Sequence, residues 1–294
     1  MRAGFIGSAQ FSQFALDVLF ENPAIDIAGV VTRETSGGND DFVCLTPFAD
    51  KQGVDSLNAD GVDDDSLVEW MAGKSADIWF CLGWNRLLPT SILNLSPHGV
   101  IGYHPTLLPK NRGRHPIIWA LVLGLTETGS TFFKMDAGAD SGHIVSQRRV
   151  TISPDDDAGS LYHKLCGVAR EQLDEITKAL VSDTLITIPQ DDAKATSWRK
   201  RSRRDGEIDW RMPAQSIHNL VRALTPPYGG ATCTVSGEQH RIWRTRVVNS
   251  SLRDVEPGMV LALDGREITV QTGEGSIILV DHEIPLPPTS GDYL

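Results

Sequence analysis

Apolar runs that alternate with helical patterns restrict the fold of this chain more than any other feature of its sequence. Residues 2–7 form a short apolar run, residues 11–19 carry apolar side chains at helical spacing, and residues 25–32 form a second apolar run. Strand, helix and strand in this order place two parallel strands side by side, with the helix on one face of the sheet. We therefore predict an α/β domain with a Rossmann-like, doubly wound sheet.

The same alternation continues well beyond the second strand. Apolar runs predict further strands, and apolar residues three and four positions apart predict the helices between them. The predicted strands are 76–82, 99–103, 130–135 and 144–152, and the predicted helices are 64–73, 116–124 and 160–180. We assign residues 1–188 to this first domain.

The remainder of the chain has a different pattern. Residues 189–206 are polar and include a basic tract at 199–204. We interpret them as a solvated linker, with recognition of phosphate by the tract as the alternative. A short helix over 214–224 and five short alternating runs follow, separated by Gly, Pro and Asp. Closely spaced short strands of this kind favour a small closed β-barrel of the OB-like type over residues 207–294.

Composition excludes several classes of function. The 294 residues carry a formal net charge of −11, which argues against a surface that neutralises many phosphates. The four cysteines lie far apart without Cys-x-x-Cys spacing, so the sequence predicts neither a disulfide framework nor a metal site. No apolar stretch approaches the roughly 18 residues that a membrane span needs. We expect a cytoplasmic chain that binds neither a metal ion nor a membrane.

One histidine and one aspartate stand where parallel sheets bind ligands. His104 ends an apolar strand and precedes Pro105, which keeps the backbone extended and directs the imidazole to the carboxyl edge of the sheet. Asp140 lies in the turn 136–142, whose glycines allow a carboxylate to reach the same crevice. The alternatives are a core histidine and an ordinary turn aspartate, and the second suits Asp136 better. Together, His104 and Asp140 could move a proton.

Other kinds of catalytic site are not indicated. No Gly-x-Ser-x-Gly elbow is present and no cysteine stands beside His104, so a covalent acyl-enzyme is not predicted. The glycines at positions 4 and 7 do not complete a dinucleotide-binding fingerprint. A histidine and an aspartate alone suit direct transfer of a group between two bound molecules.

Five motifs around this pair resemble those of the folate-dependent formyltransferases. The resemblance is to the branch that contains methionyl-tRNA formyltransferase and the sugar-nucleotide N-formyltransferases, and the latter are the better match. The motifs are Gly102-Tyr103-His104, Thr106-Leu107-Leu108-Pro109, Lys110-Asn111-Arg112-Gly113, Glu127-Thr128-Gly129-Ser130-Thr131 and Asp136-Ala137-Gly138-Ala139-Asp140-Ser141-Gly142.

The resemblance implies an N-formyltransferase, which moves a formyl group from 10-formyltetrahydrofolate to a primary amine. By position, His104 would take part in proton transfer and stabilise the oxyanion, and Asp140 would orient it or relay the proton. The pterin ring of the folate would lie against main chain in two segments. Those segments are Trp84, Asn85, Arg86, Leu87 and Leu88, and Gly138, Ala139 and Asp140.

Gly102 departs from the family pattern, because the family's active-site asparagine aligns with it. Losing one oxyanion donor typically lowers turnover about a hundredfold to a thousandfold. Asn111, His115 or a backbone N–H could supply the missing donor, and we prefer His115 as a third catalytic residue.

The sequence also bears on the acceptor. A tRNA-binding enzyme would need a basic loop after the second strand, yet residues 34–42 include Asp40 and Asp41 and no Lys or Arg. We therefore expect the amine of an amino-sugar nucleotide used in surface-glycan synthesis, with a homodimer left open. The expected acceptor-binding residues are Tyr103, Lys110, Asn111, Arg112 and Arg114. The alternatives are methionyl-tRNA, supported by the basic tract, a weakly active folate-binding module, suggested by Gly102, and a hydrolase that releases formate.

Overall fold

The computed structural model describes residues 1–38, 40–248, 252, 254–285 and 289–294. Contacts divide the chain into two compact units. The first contains residues 1–116, 128–150 and 163–198, and the second contains 117–127, 151–162 and 199–294. The chain passes from one unit to the other after Trp198, inside the stretch expected to be a linker. The expected domain boundaries at 188 and 207 stay predictions.

The first part of the chain alternates strands and helices, as its apolar pattern predicts. In chain order the elements are β1 (Arg2–Ile6), α1 (Gln10–Glu21), β2 (Asp26–Thr32), α2 (Thr46–Lys51), β3 (Ser56–Asn58), α3 (Asp64–Gly73), β4 (Ile78–Cys81), α4 (Thr90–Leu93), β5 (Val100–His104), β6 (Arg112–Gly113), α5 (Pro116–Val122), β7 (Glu127–Lys134), β8 (Ile144–Thr151), α6 (Ala158–Val181) and β9 (Ser197–Trp198). Two short 3-10 helices flank β9, at Asp192–Lys194 and Arg203–Gly206.

Seven of these strands form one sheet in the order β3-β2-β1-β4-β5-β7-β8. The pairs from β3 to β5 are parallel, and β7 runs antiparallel to β5. This topology confirms the predicted α/β, doubly wound architecture. Because carboxyl ends of parallel strands meet at one edge, His104 at the end of β5 and the loop after β4 share that edge.

Close packing inside the sheet explains one of the early glycines. Gly4 lies in β1 beside Trp79 of β4, which is fully buried. A Cβ atom at Gly4 would lie 2.3 Å from Cε3 of the indole, too close for any side chain. Gly4 thus serves packing of the core, and this agrees with the absence of a dinucleotide fingerprint.

The longest described helix, α6, is amphipathic. Its 24 residues bury Leu165, Ala169 and Leu173, whereas Lys164 and Arg170 are exposed. Polar side chains along one face are typical of a helix at the surface of a soluble domain. Among the described residues, no helix combines the length and apolar character that a bilayer crossing demands.

The second unit contains the predicted strands of the C-terminal region. Its C-terminal part begins with the helix α7 (Ala214–Ala223), followed by the strands β10 (Ala231–Val235), β11 (Glu238–Val248), β12 (Val260–Asp264), β13 (Glu267–Gln271) and β14 (Ser276–His282). The strands form an antiparallel sheet in the order β10-β11-β14-β13-β12, and the described ladders do not join its two ends. Ile217 and Leu220 of α7 pack with Ile242, Ile268 and Ile277 in one core.

Candidate active site

His104 is buried, and both nitrogens of its ring face protein atoms. Its Nε2–H donates to the carbonyl oxygen of Asn111 at 2.8 Å. A carbonyl can only accept, so the proton of the neutral ring is on Nε2. Nδ1 then carries the lone pair and faces Oδ2 of Asp140 at 3.6 Å. The structure brings the imidazole and the carboxylate together at the sheet edge.

Asp140 reaches the histidine from a tight turn. Its φ is 55°, a left-handed conformation that aspartate tolerates better than most residues. Its Oδ2 accepts the backbone N–H of Gly113 at 2.9 Å, which holds the carboxylate at the ring. Asp136 closes the turn by accepting from the backbone N–H of Gly138 and from the hydroxyl of Ser141. Asp136 is thus a turn residue, as its sequence context suggested.

Nδ1 of His104 and Oδ2 of Asp140 lie close together without a hydrogen bond between them. The distance of 3.6 Å between Nδ1 and Oδ2 is longer than a hydrogen bond. Such a distance is expected for two acceptor atoms that have no proton between them. A proton added at Nδ1 would make an imidazolium, with one N–H directed at Asp140 and the other at Asn111.

Two threonines of the Glu-Thr-Gly-x-Thr motif brace the chain after His104. The hydroxyl of Thr128 donates to the carbonyl oxygen of Pro105 at 2.8 Å, and that of Thr131 donates to the carbonyl oxygen of Thr106 at 2.6 Å. Sequence reasoning recognised the motif without giving these side chains a role. The two threonines stand three residues apart in β7, so strand alternation alone does not place both hydroxyls on one face, and the sequence carries no signal for these contacts.

Tyr103 is partly buried among aromatic neighbours. Its ring stacks on Phe11 at a centroid distance of 4.1 Å, and its hydroxyl lies 3.1 Å from that of Ser130. Burial raises the pKa of this phenol well above its usual range. Adjacent residues of a strand point to opposite faces, so Tyr103 faces away from the side that His104 occupies. Its expected role in binding the acceptor stays a prediction.

Of the three predicted cationic residues, the two arginines bind protein acceptors and the lysine is exposed. Arg112 donates to Oε1 of Gln190 at 2.8 Å and to Oδ1 of Asp192 at 2.7 Å. Arg114 donates to the carbonyl oxygen of Asn85 at 2.7 Å, which ties it to the expected folate segment. The side chain of Lys110 is exposed. Of the three, Lys110 is therefore the best placed to meet an anionic substrate.

Two further predicted residues flank these cations. Asn111 has a φ of 63° and binds His104 through its backbone carbonyl. His115 has a φ of 56° and directly precedes α5. The role of His115 as the replacement for the family's asparagine stays a prediction.

The segment after β4 offers an unusual run of free backbone donors. Within the described residues, the N–H groups of Trp84, Asn85, Arg86, Leu87 and Leu88 donate to no protein acceptor. Leu87 is 66% exposed although it is apolar. A flat heterocycle with several acceptors, such as a pterin, fits such a segment because main chain and an apolar side chain are both available.

The space beside Gly102 is filled by other side chains. A Cβ atom at this position would lie 2.9 Å from both Cζ of Phe133 and Cγ of Met135. These contacts are closer than carbon atoms tolerate without movement. An asparagine at this position would therefore have to displace the side chains of Phe133 and Met135.

We expect Gly102→Asn to lower the free energy of unfolding by about 1–3 kcal/mol, because it overpacks this strand. It should not raise kcat. Met135→Ala in the same chain should recover part of the loss, so that the two changes are not additive in urea unfolding. A rise in kcat with unchanged stability would show instead that the position is open.

Two family profiles match the chain. The profile described as formyl transferase matches residues 24–177, and the profile of the formyl transferase C-terminal domain matches residues 200–286. The first covers more than half of the 294 residues.

Solved structures show the same fold. WlaRD, a sugar 3N-formyl transferase solved with dTDP and 5-N-formyl-THF, superposes with a TM-score of 0.70 at 16% identity, covering 97% of this chain and 99% of that chain. The N-formyltransferase of Helicobacter canadensis, solved with folinic acid and dTDP-3-aminofucose, gives 0.69 at 15% identity, with 94% and 98% covered. Methionyl-tRNA formyltransferase of Clostridium thermocellum gives 0.63 at 17% identity, with 87% and 98% covered. The chain therefore belongs to the formyl transferase family of enzymes, whose formyl donor is a formyl-tetrahydrofolate.

Proposed function

We propose that this enzyme transfers a formyl group from 10-formyltetrahydrofolate to the primary amine of an amino-sugar nucleotide. The observation that carries the proposal is the approach of Asp140 to Nδ1 of His104 at the carboxyl edge of the sheet. The free backbone donors of 84–88 would hold the pterin beside this pair, with Gly138 and Ala139 on the other segment. The folate supplies an activated formyl carbon when it is bound.

The chain itself supplies the acceptor for the proton that the amine must lose. Oδ2 of Asp140 is held by Gly113, whereas Oδ1 accepts no hydrogen bond from the described residues. Oδ1 is therefore the atom that can accept an N–H of the incoming amine. The proton then reaches Nδ1 of His104 when the carboxyl group turns and exchanges its two oxygens, so that the protonated oxygen faces the ring and the other accepts from Gly113. The resulting imidazolium supplies positive charge beside the developing oxyanion.

The loop after β2 favours a small acceptor over tRNA. Residues 34–42 contain no Lys or Arg, and Arg33 before them donates through Nε to Oδ1 of Asp60 at 2.6 Å. Burial acts to raise the pKa of Asp60, but hydrogen bonds from Arg33, Thr35 and Glu34 lower it to about 2. This carboxylate thus stays ionised and neutralises the neighbouring guanidinium. Nothing in the loop offers a positive surface to an RNA backbone.

The basic tract also gives weaker support to tRNA than its sequence suggested. Arg199 forms a two-pronged ion pair with Asp205, at 2.9 and 2.5 Å. Arg201 is buried and lies 4.9 Å from the centre of the Trp119 ring, and Arg203 donates to Gln239. Three of the five positive side chains in the tract therefore serve contacts inside the second unit.

The similar structures add support of another kind. WlaRD and the Helicobacter canadensis enzyme were solved with a folate and with dTDP or a dTDP-amino sugar. Both cover nearly all of this chain, although identity is only 16% and 15%. Exposed Lys110, which follows the strand and loop that carry His104, is the residue we expect to meet the diphosphate.

The reaction can be tested with a folate labelled with ¹³C in its formyl group. With a dTDP-linked 3-amino or 4-amino sugar, we expect the ¹³C signal of a formamide, appearing at the rate at which tetrahydrofolate forms. Without an amine, we expect no loss of the donor signal beyond the rate without enzyme. Release of ¹³C-formate that is independent of the amine would identify a hydrolase, and an unchanged donor in every mixture would favour a binding module.

A further inference from the structure

Residues 189–198 bind both loops that hold the catalytic pair. Gln190 donates through Nε2 to the carbonyl oxygens of Asp140 at 2.8 Å and Gly142 at 2.7 Å. Its Oε1 accepts from Arg112, so one amide joins the turn of Asp140 to the strand β6. A stretch that composition predicted to be a solvated linker thus forms part of the site.

Thr196 makes the equivalent contacts with Asn111. The backbone N–H of Asn111 donates to Oγ1 of Thr196 at 2.9 Å, and that hydroxyl donates to Oδ1 of Asn111 at 3.2 Å. The backbone N–H of Arg112 donates to the carbonyl oxygen of Thr196 at 2.9 Å, where β6 begins to pair with β9. Main chain and side chain of Asn111 are therefore both fixed by one residue.

Asn111 and Asp140 are the two residues that hold the imidazole of His104. One accepts from Nε2 and the other faces Nδ1. Both have left-handed backbone conformations, with φ of 63° and 55°, which non-glycine residues adopt at a cost in free energy. Such conformations persist when the surroundings hold them, and here Thr196 and Gln190 do so.

We propose that Gln190 and Thr196 are positioning residues that keep the proton of neutral His104 on Nε2 and hold Nδ1 towards Asp140. Thr196 acts by fixing the carbonyl of Asn111, and Gln190 acts by fixing the turn of Asp140. The effect on catalysis rests on the proposed function. The effect on the tautomer does not, because it follows from contacts within the chain.

The matched pair Thr196→Val and Thr196→Ser tests the first residue. Valine keeps the shape and removes the hydroxyl, whereas serine keeps the hydroxyl. In protein labelled with ¹⁵N-histidine, with the His104 signals assigned by His104→Ala, the wild type and Thr196→Ser should show the Nε2–H tautomer above neutral pH. Thr196→Val should show a mixture of tautomers and lower kcat about tenfold to hundredfold, with KM for both substrates nearly unchanged.

Gln190→Glu tests the second residue with almost no change in shape. The carboxylate still accepts from Arg112 but no longer donates to the carbonyls of Asp140 and Gly142. We expect the same loss of kcat as in Thr196→Val. Lys194→Ala is the control, since Lys194 lies in the same segment and its ammonium pairs with Asp191. It should keep the tautomer and kcat of the wild type.

The outcomes separate the two proposals. If Thr196→Val and Gln190→Glu keep both the tautomer and kcat of the wild type, the positioning role is overturned whatever the substrate is. If either variant fails to fold, as judged by circular dichroism, the other decides the question. Altered tautomers in a chain whose wild type formylates no amine would uphold the positioning role and contradict the proposed function.

Discussion

Asp140→Asn should lower kcat about a hundredfold to ten-thousandfold and leave the fold intact, because an amide cannot take up the proton of the amine. Both contacts of the carboxylate are made by Oδ2, so an amide oxygen in that place can still accept from the N–H of Gly113 and face Nδ1 of His104, while the amide nitrogen takes the place of Oδ1. The variant therefore keeps every contact of the carboxylate while it removes a basic group. Stopped-flow or steady-state measurement of tetrahydrofolate formation gives kcat, and thermal unfolding gives the stability.

Asp136→Asn is the matched control for this prediction. It makes the same chemical change in the same turn, on a residue that contacts Gly138 and Ser141 and not His104. We expect its kcat to stay within about threefold of the wild type, since the amide oxygen of asparagine can accept the same two hydrogen bonds as Oδ1 of Asp136. If Asp140→Asn also stayed in that range, Asp140 could not be the proton acceptor.

Gly142→Ala should have the largest effect on stability. A Cβ atom at Gly142 would lie 1.7 Å from the carbonyl oxygen of Lys134, and backbone cannot move aside as a side chain can. The turn 136–142 would have to shift, and Asp140 would shift with it. We expect a loss of about 3 kcal/mol in the free energy of unfolding, the upper end of the range for overpacking, together with loss of activity.

Gly167→Ala provides the opposite case in the same unit. Gly167 lies in α6, and a Cβ atom there would meet nothing within 4 Å. The substitution should raise the free energy of unfolding by about 0.5–1 kcal/mol, because alanine loses less backbone entropy on folding. Urea unfolding of both variants checks the pair of predictions. Equal stabilities would contradict the close contact at Gly142.

The sequence predicts the positions of His104 and Asp140 because their signals are local. An apolar strand before Pro105 places the histidine at the edge of the sheet, and the glycines around Asp140 allow a tight turn. The strands and helices beyond β4 follow from the same alternation of apolar runs, whereas their order in the sheet does not. These features depend on residues close together in the chain, which is why one sequence suffices to find them.

Gln190 and Thr196 give no such signal. Their partners lie 48 to 85 residues away, and a polar stretch with glutamine and threonine is typical of a linker. Tyr103 shows a different limit of prediction from sequence. It belongs to a recognised motif, but the alternation of a strand turns it away from the histidine that gives the motif its meaning. Motif membership alone therefore does not place a side chain on the same face of the strand as the histidine.

The acceptor is the central claim, and a direct competition tests it. Purified enzyme with labelled 10-formyltetrahydrofolate would receive methionyl-tRNA and a dTDP-linked amino sugar in one vessel, and kcat/KM would be compared from the two formylated products. We predict formylation of the sugar amine and a rate for the tRNA no greater than without enzyme. Formylation of methionyl-tRNA in preference to the amino sugar would contradict the account.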